Sequence, residues 1–213
     1  MCKPWKEKAG LEKIALSTRI MSKQGCTHIC QQAFEFAKKT GRKRVTLIEK
    51  PNVLRETGGL MMRCFQDVAK SYPDIRADDA NIDAICMWMF KNPQDYSVLV
   101  AENMFGDIVS DLCAGLVGGL GFAPSANLGD KYAVFEPTHG SAPKYAGQYK
   151  VNPIAMLLTA KLMLDWLKET DKATRLEAAV ARVIKEGKVR TYDMGGKDST
   201  LDVAKAIAEY ATA

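Results

Sequence analysis

Helix-type and strand-type patterns alternate through the first half of this sequence and then stop alternating, and that change limits the folds open to it. Residues 14–21 alternate weakly and predict a strand. Ser22 is placed to cap a helix running to about Thr40, with Cys26, Ile29, Cys30, Ala33, Phe34, Phe36 and Ala37 on its buried side and Gly41 at its end. Residues 45–49 predict a short strand that delivers Lys50-Pro51-Asn52 at its C-terminal end. Gly58-Gly59 opens a helix to about Tyr72; a short strand at 75–77, a helix at 82–91, a strand at 97–101 and a helix at 105–116 follow. Such elements joined by short loops argue for an α/β domain with a mixed sheet. Beyond Gly118-Gly119 only 132–136 reads clearly as strand, while about 153–169, 173–187 and 199–211 read as helix. One or two strands cannot cover three amphipathic helices, so this segment is expected to be part of a domain, with a boundary near Gly118-Gly119.

Composition narrows the function classes. The chain has 213 residues, 47% hydrophobic and 26% charged, enough for one large domain or two small ones. No stretch has the apolar length needed to cross a bilayer, and the opening MCKPWKEKAG lacks the apolar core of a signal peptide. The six cysteines are scattered, mostly inside apolar helical patterns, and read as reduced, buried thiols. Cys26-Thr27-His28-Ile29-Cys30 is the one metal-like cluster, and without a second Cys/His group it reads as packing rather than zinc. A cytoplasmic protein is expected, with the mitochondrial matrix open if the chain belongs to a longer precursor. Net charge is +5 with both signs interspersed, a solvated surface that also suits a polyanionic small substrate. The basic run 38–44 lies where a helix turns into a strand; it complements a helix C-terminus and carries no interleaved aromatics, so no nucleic-acid partner is expected.

The chemistry concentrates between Asn103 and Pro153, NMFGDIVSDLCAGLVGGLGFAPSANLGDKYAVFEPTHGSAPKYAGQYKVNP. Asp107 and Asp111 are four apart at the start of an apolar helix, so they share one face and can converge on a hard cation. Carboxylates at helical spacing are most often a solvated face; here the rest of the helix is apolar. A glycine-rich loop follows, then a loop with His139, Lys144, Tyr145 and Asn152, residue types suited to holding a phosphate. The Met- and Trp-rich run 85–90 reads as core or interface packing.

These residues resemble the isocitrate and isopropylmalate dehydrogenase family, metal-dependent oxidative decarboxylases of 2-hydroxy acids. The matching patches are Lys50-Pro51-Asn52-Val53-Leu54, residues 83–111 with GDIVSD, and residues 138–153 with HGSAPKYAG and VNP; the resemblance runs from about residue 12 to the C-terminus. It implies an α/β fold of that family's type, lacking the N-terminal part of the large domain. Residues 1–22 would be a remnant of a clasp segment, 23–117 a small α/β domain with dimer-interface helices, and 118–213 the C-terminal part of the cofactor-binding domain.

Residue by residue, the resemblance implies that Asp107 and Asp111 bind Mg²⁺ or Mn²⁺ and that Asp83 completes the site of a partner subunit. Lys50 would be the catalytic lysine that reaches the partner's substrate, with Asn52 beside it. His139 and Gly140 would lie under the adenosine, Asn152 would read the adenine, and Val151 would belong to the same cofactor loop. Lys144, Tyr145 and Tyr192 would favour the 2′-phosphate of NADP, with NAD also open. The implied reaction is oxidative decarboxylation of isocitrate to 2-oxoglutarate, a step of the tricarboxylic acid cycle, in a homodimer or with a complementing chain. The metal would lower the pKa of the substrate hydroxyl and stabilise the enolate left by departing CO₂.

Two departures qualify the resemblance. NADP-type relatives carry an arginine shortly after the position of Tyr192, whereas this chain reads Asp193-Met194-Gly195-Gly196-Lys197. The family's upstream segment, with most of its substrate-clamping arginines and a catalytic tyrosine, has no counterpart here; of Arg19, Arg55 and Arg63, Arg19 is best placed to reach a substrate. A fragment or half of a split enzyme is therefore expected. A catalytically silent cofactor-binding or regulatory subunit and a minimal active enzyme remain alternatives, as do homoisocitrate and isopropylmalate as substrates.

Overall fold

The computed structural model describes residues 15–212, which divide into two compact units between Asp107 and Ile108. Cys2 and Ile14 lie outside the described residues. Residues 15–22 carry no regular structure, so no strand forms there. The weak alternation had no apolar face to bury: Leu16 and Ile20 are both exposed.

The first unit follows the β–α–β pattern closely. Helix α1 (Lys23–Lys39) begins where the Ser22 hydroxyl accepts a hydrogen bond from the Gly25 N–H at 3.1 Å, and it ends with Lys38 and Lys39 in its last turn. Gly41 then turns the chain with φ of +69°. Strand β1 (Arg44–Glu49), helix α2 (Arg55–Ala69), strand β2 (Arg76–Asn81), helix α3 (Ile82–Lys91) and strand β3 (Val98–Ala101) follow. The sheet is not mixed. Its three strands are all parallel in the order β2-β1-β3, with Val45 opposite Ala77 on one side and Val98 on the other. Parallel neighbours need helical crossovers, and α2 and α3 supply them.

β1 is the centre of this unit and is buried from Val45 to Glu49, as expected of a parallel strand covered on both faces. On one face Val45 and Leu47 join Val98 and Val100 beneath Cys26, Cys30, Ala33, Phe34 and Ala37 of α1 and Met61, Cys64, Phe65 and Val68 of α2. Phe34 is fully enclosed, 5.4 Å from the Phe65 ring and stacked 5.0 Å from Tyr72. α3 packs against β1 and β2 and contributes the buried Ile85 and Met89. Ile29 and Phe36, expected inside, are exposed at the margins of the α1 stripe. Burial pushes the Cys30 thiol up to about 12, so Cys26 and Cys30 act as small apolar residues here.

The second unit opens with the remainder of α4 (Asn103–Leu116), whose last turn passes into Gly118 and Gly119, both at φ +114°. Strands β4 (Pro124–Leu128) and β5 (Ala133–Pro137) form an antiparallel pair, and β4 is a strand the sequence pattern did not reveal. Helices α5 (Ile154–Trp166), α6 (Thr170–Glu186) and α7 (Thr200–Thr212) complete it. The pair packs on α5, with Phe135 edge-on to Trp166 at 6.2 Å, and Ile154, Val180, Val183, Val203 and Ile207 form the core. Two strands cover little of α5, which leaves Met156, Met163 and Trp166 partly exposed.

Candidate functional site

The C-terminal end of a central parallel strand is where α/β sheets place ligands, because the helices and loops that follow the strands open outward there. β1 ends in Glu49, and the next residues are Lys50-Pro51-Asn52. Lys50 N–H donates to Glu49 Oε2 at 3.0 Å, and the Val53 and Leu54 N–H groups donate to the Lys50 carbonyl, which closes the turn. Gly58 of α2 passes so close that a Cβ there would lie 2.8 Å from Glu49 Oε2. Glu49 is 1% exposed and its Oε1 has no partner; burial, with a smaller push from Glu102, raises its pKa against the Lys50 N–H bond and Arg19. This carboxyl escaped sequence reasoning, which looked past it to the lysine.

The turn aims Lys50 Nζ at Asp83 Oδ1, 2.5 Å away, so the structure brings together two predicted site residues within one chain. Asp83 sits in the first turn of α3, where the helix N-terminus favours a carboxylate, and the Lys50 hydrogen bond holds its pKa below the usual range. The Asp83 side chain is 68% exposed and so remains open to an incoming group. Arg19 is engaged by neighbouring side chains of its own unit. Its guanidinium pairs with Glu102 at 3.1 Å and lies 5.5 Å from the centre of the Phe105 ring.

Asp107 and Asp111 lie one turn apart on the exposed side of α4, next to the exposed Met104 and Ile108. An all-oxygen pair of this kind suits Mg²⁺ or Mn²⁺, which keep several water or substrate oxygens in their shells. Among the described residues no three His, Cys, Asp or Glu side chains come together as a metal site, so Asp83 is not grouped with this pair in a single chain.

The other predicted residues meet in the second unit, around a cavity of about 470 Å³ lined by Gly118–Gly121, His139–Ala142, Tyr145, Val151, Asn152, Tyr192 and Asp193. A cofactor-sized pocket is commonly of this order. Gly121 makes room for it: a Cβ there would meet Asp193 Oδ2 at 3.0 Å and the Asn152 side chain at 3.1 Å. His139 Nδ1 lies 2.8 Å from the Gly140 carbonyl; a carbonyl only accepts, so Nδ1 is the donor in this contact. Asn152 is nearly buried and largely committed to structure, its Oδ1 accepting from Ile154 N–H at 3.0 Å and its Nδ2 donating to Asp193 Oδ2 at 3.0 Å. Asp193 also accepts from the Thr191 hydroxyl. Asp193 and Gly121 were not foreseen as site residues, although Asp193 directly follows Tyr192 and Gly121 ends the glycine run.

On this loop Ala142 takes a left-handed conformation, φ +45°, before the turn Pro143–Tyr145. Lys144 Nζ lies 4.9 Å from the centre of the Tyr145 ring, whose own neighbour is the Tyr192 ring at 6.2 Å. A hydrogen bond from Tyr192, and then the Lys144 charge, lowers the Tyr145 pKa; the same hydrogen bond raises that of Tyr192.

Known proteins resemble this chain in sequence and fold. The chain is 46% identical to a 3-isopropylmalate dehydrogenase of Archaeoglobus fulgidus, over 93% of this chain and 61% of that protein. It is 43% identical to catalytic subunit 5 of a mitochondrial NAD isocitrate dehydrogenase of Arabidopsis thaliana, over 96% of this chain and 56% of that protein. The crystal structure of isocitrate dehydrogenase from Methylococcus capsulatus superposes with a TM-score of 0.90 at 42% identity, covering 93% of this chain and 59% of that one. The chain thus spans less than two thirds of the length of each of these relatives. The family model described as isocitrate/isopropylmalate dehydrogenase matches residues 3–207. By the reach of that match and by these identities, the chain belongs to the isocitrate/isopropylmalate dehydrogenase family of oxidoreductases.

Proposed function

We propose that this chain is part of an isocitrate dehydrogenase that uses Mg²⁺ or Mn²⁺ and transfers a hydride to NADP. The observation that carries the reading is the cavity of the second unit, where Lys144, Tyr145 and Tyr192 gather at a glycine-built pocket that also holds His139, Gly140, Val151 and Asn152. Glycines in the wall let a dinucleotide backbone approach closely. His139 keeps Nε2 outside its Gly140 contact, and Asn152 keeps one donor and one acceptor position beyond its structural bonds. The phenols and the ammonium form a polar, cationic margin suited to the extra phosphate of NADP.

The catalytic half of the proposal rests on Lys50 and the carboxylates. Lys50 assists removal of the hydroxyl proton, with Asn52 beside it at the substrate. The bond to Asp83 holds Lys50 Nζ in one orientation until substrate displaces it. Asp107 and Asp111 hold the metal, and Asp83 completes the site of a partner subunit, which makes the working unit a homodimer or an assembly with a complementing chain. Bound Mg²⁺ or Mn²⁺ supplies Lewis acidity to the hydroxyl and neighbouring carboxylate of a hydroxy-tricarboxylate.

A second reading, a cofactor-binding but catalytically silent subunit, is favoured by the contrast between a pocket formed within one unit and a carboxylate pair that belongs to no group of three metal-ligating side chains among the described residues. Fluorescence titration of the purified chain with NADPH, alongside an assay of Mn²⁺-dependent NADP reduction with isocitrate, homoisocitrate and isopropylmalate, separates the two. Turnover with isocitrate supports the enzyme, and NADPH binding without turnover on any of the three supports the silent subunit. Faster turnover with isopropylmalate or homoisocitrate corrects the substrate, and absence of both binding and turnover overturns the proposal.

A further inference from the structure

The loop that carries Lys144 and Tyr145 holds a second cation. Lys150 Nζ lies 4.9 Å from the centre of the Tyr192 ring and 5.5 Å from that of Tyr145, so both phenols sit under one ammonium. With Lys144 above Tyr145, two ammonium groups and two phenols occupy one patch at the edge of the cavity that Tyr145 and Tyr192 line. Neither lysine has a carboxylate within ion-pair distance among the described residues. The nearby Asp193 is taken up by Thr191 and Asn152. Two unneutralised cations held over hydroxyl-bearing rings present the charge and donors that a phosphate dianion requires.

Lys150 is also fixed at its root. Thr200, at the start of α7, donates its N–H to the Tyr149 carbonyl at 2.7 Å and its hydroxyl to the Val151 carbonyl at 2.5 Å. One residue thus clamps the backbone on either side of Lys150, and φ of +48° at Tyr149 bends the chain into that clamp. Lys197, the other candidate to replace the arginine that follows the tyrosine in NADP-type relatives, has no ring contact of this kind among the described residues.

We propose that Lys150, paired with Lys144 across the Tyr145 and Tyr192 rings, is the specificity-determining residue that recognises the 2′-phosphate of NADP in place of the absent arginine. This rests on the cofactor reading of the same cavity. The test is fluorescence titration of the full chain with NADPH and with NADH, for the unmodified protein and for Lys150→Met, Lys150→Arg and Lys197→Met. Loss of one charge-assisted contact predicts that Lys150→Met weakens NADPH binding by about tenfold or more while NADH binding stays within about twofold. Lys150→Arg restores NADPH binding, and Lys197→Met leaves both unchanged. Equal losses for both coenzymes, or none for NADPH, overturn the assignment of Lys150 and leave the cofactor reading standing. An unmodified chain that prefers NADH overturns the NADP assignment and Lys150 with it, and a chain that binds neither coenzyme overturns the cofactor reading itself.

Discussion

The two units bury their strands in opposite ways. In the first, β1 is flanked by β2 and β3 and covered by α1 and α2 on one face and α3 on the other. In the second, two antiparallel strands pack on one helix, α5, and apolar side chains such as Val134, Met156 and Leu167 stay exposed. The first has its polar chemistry at the end of an enclosed strand, so the Lys50 turn inherits the rigidity of the sheet. The second has its chemistry on loops pinned by single side chains, Asn152 to α5 and Thr200 to the Lys150 segment. Substitutions are therefore expected to act through packing in the first unit and through individual hydrogen bonds in the second.

The largest test of this contrast is truncation of the two cores. Phe34→Ala, at a fully buried site between Phe65 and Tyr72, is expected to destabilise the first unit by about 3–5 kcal/mol in urea unfolding. Ile207→Ala in the second unit is expected to cost about 2 kcal/mol, because a less enclosed core relaxes into the space. A larger cost at Ile207 would break the comparison. Next comes Gly58→Ala, whose Cβ would press on the buried Glu49 carboxylate, with an expected cost of about 1–3 kcal/mol by overpacking. Its counterpart is Asn152→Ala, which removes the hydrogen bond that starts α5 and the partner of Asp193; about 1–2 kcal/mol and weakened NADPH binding are expected.

The pH responses are smaller and opposite in sign. Burial raises the Glu49 pKa, so the folded state holds this proton to higher pH than the unfolded chain does. Stability contributed here falls as pH rises from the ordinary carboxyl value to the folded one, and Glu49→Gln should flatten that slope in pH-dependent thermal melts. In the second unit Arg182, then Lys188 and Tyr210, hold Glu186 at about 2. Its contribution is present above the ordinary carboxyl value and lost as pH falls towards 2. Because that carboxylate is solvated, Glu186→Gln should change the melting curve least of all.

What could be foreseen follows the same division. The helix at Ile82–Lys91 and the strand ending at Glu49 lie where periodicity and punctuation put them, the helix burying Ile85 and Met89 and the strand every residue from Val45 to Glu49. Ile29 and Phe36 escaped prediction because a stripe's margin has the same spacing as its centre. β4, Pro-Ser-Ala-Asn-Leu, alternates only through small and turn-prone residues, has no β-branched side chain, and is held as a strand by its pairing with β5. The parallel sheet was not legible because strand direction is a tertiary property. At the site, Lys50 and Asp83 could be named from motifs 33 positions apart, but not their bond. Glu49 and Asp193 were invisible because their importance lies in what surrounds them, an orphaned oxygen in one case and three converging hydroxyl, amide and glycine groups in the other.

The position of β1 has a consequence for how the chain is made. It precedes both of its sheet partners in the sequence and lies between them in the sheet. Until Asn81 has emerged from the ribosome neither edge of β1 can pair within its sheet, and until Ala101 has emerged one edge stays open. Those edges belong to an apolar run, Val-Thr-Leu-Ile, that is a template for intermolecular pairing while exposed. Translation speed and chaperone occupancy between residues 50 and 101 should therefore govern soluble yield more strongly than events later in the chain.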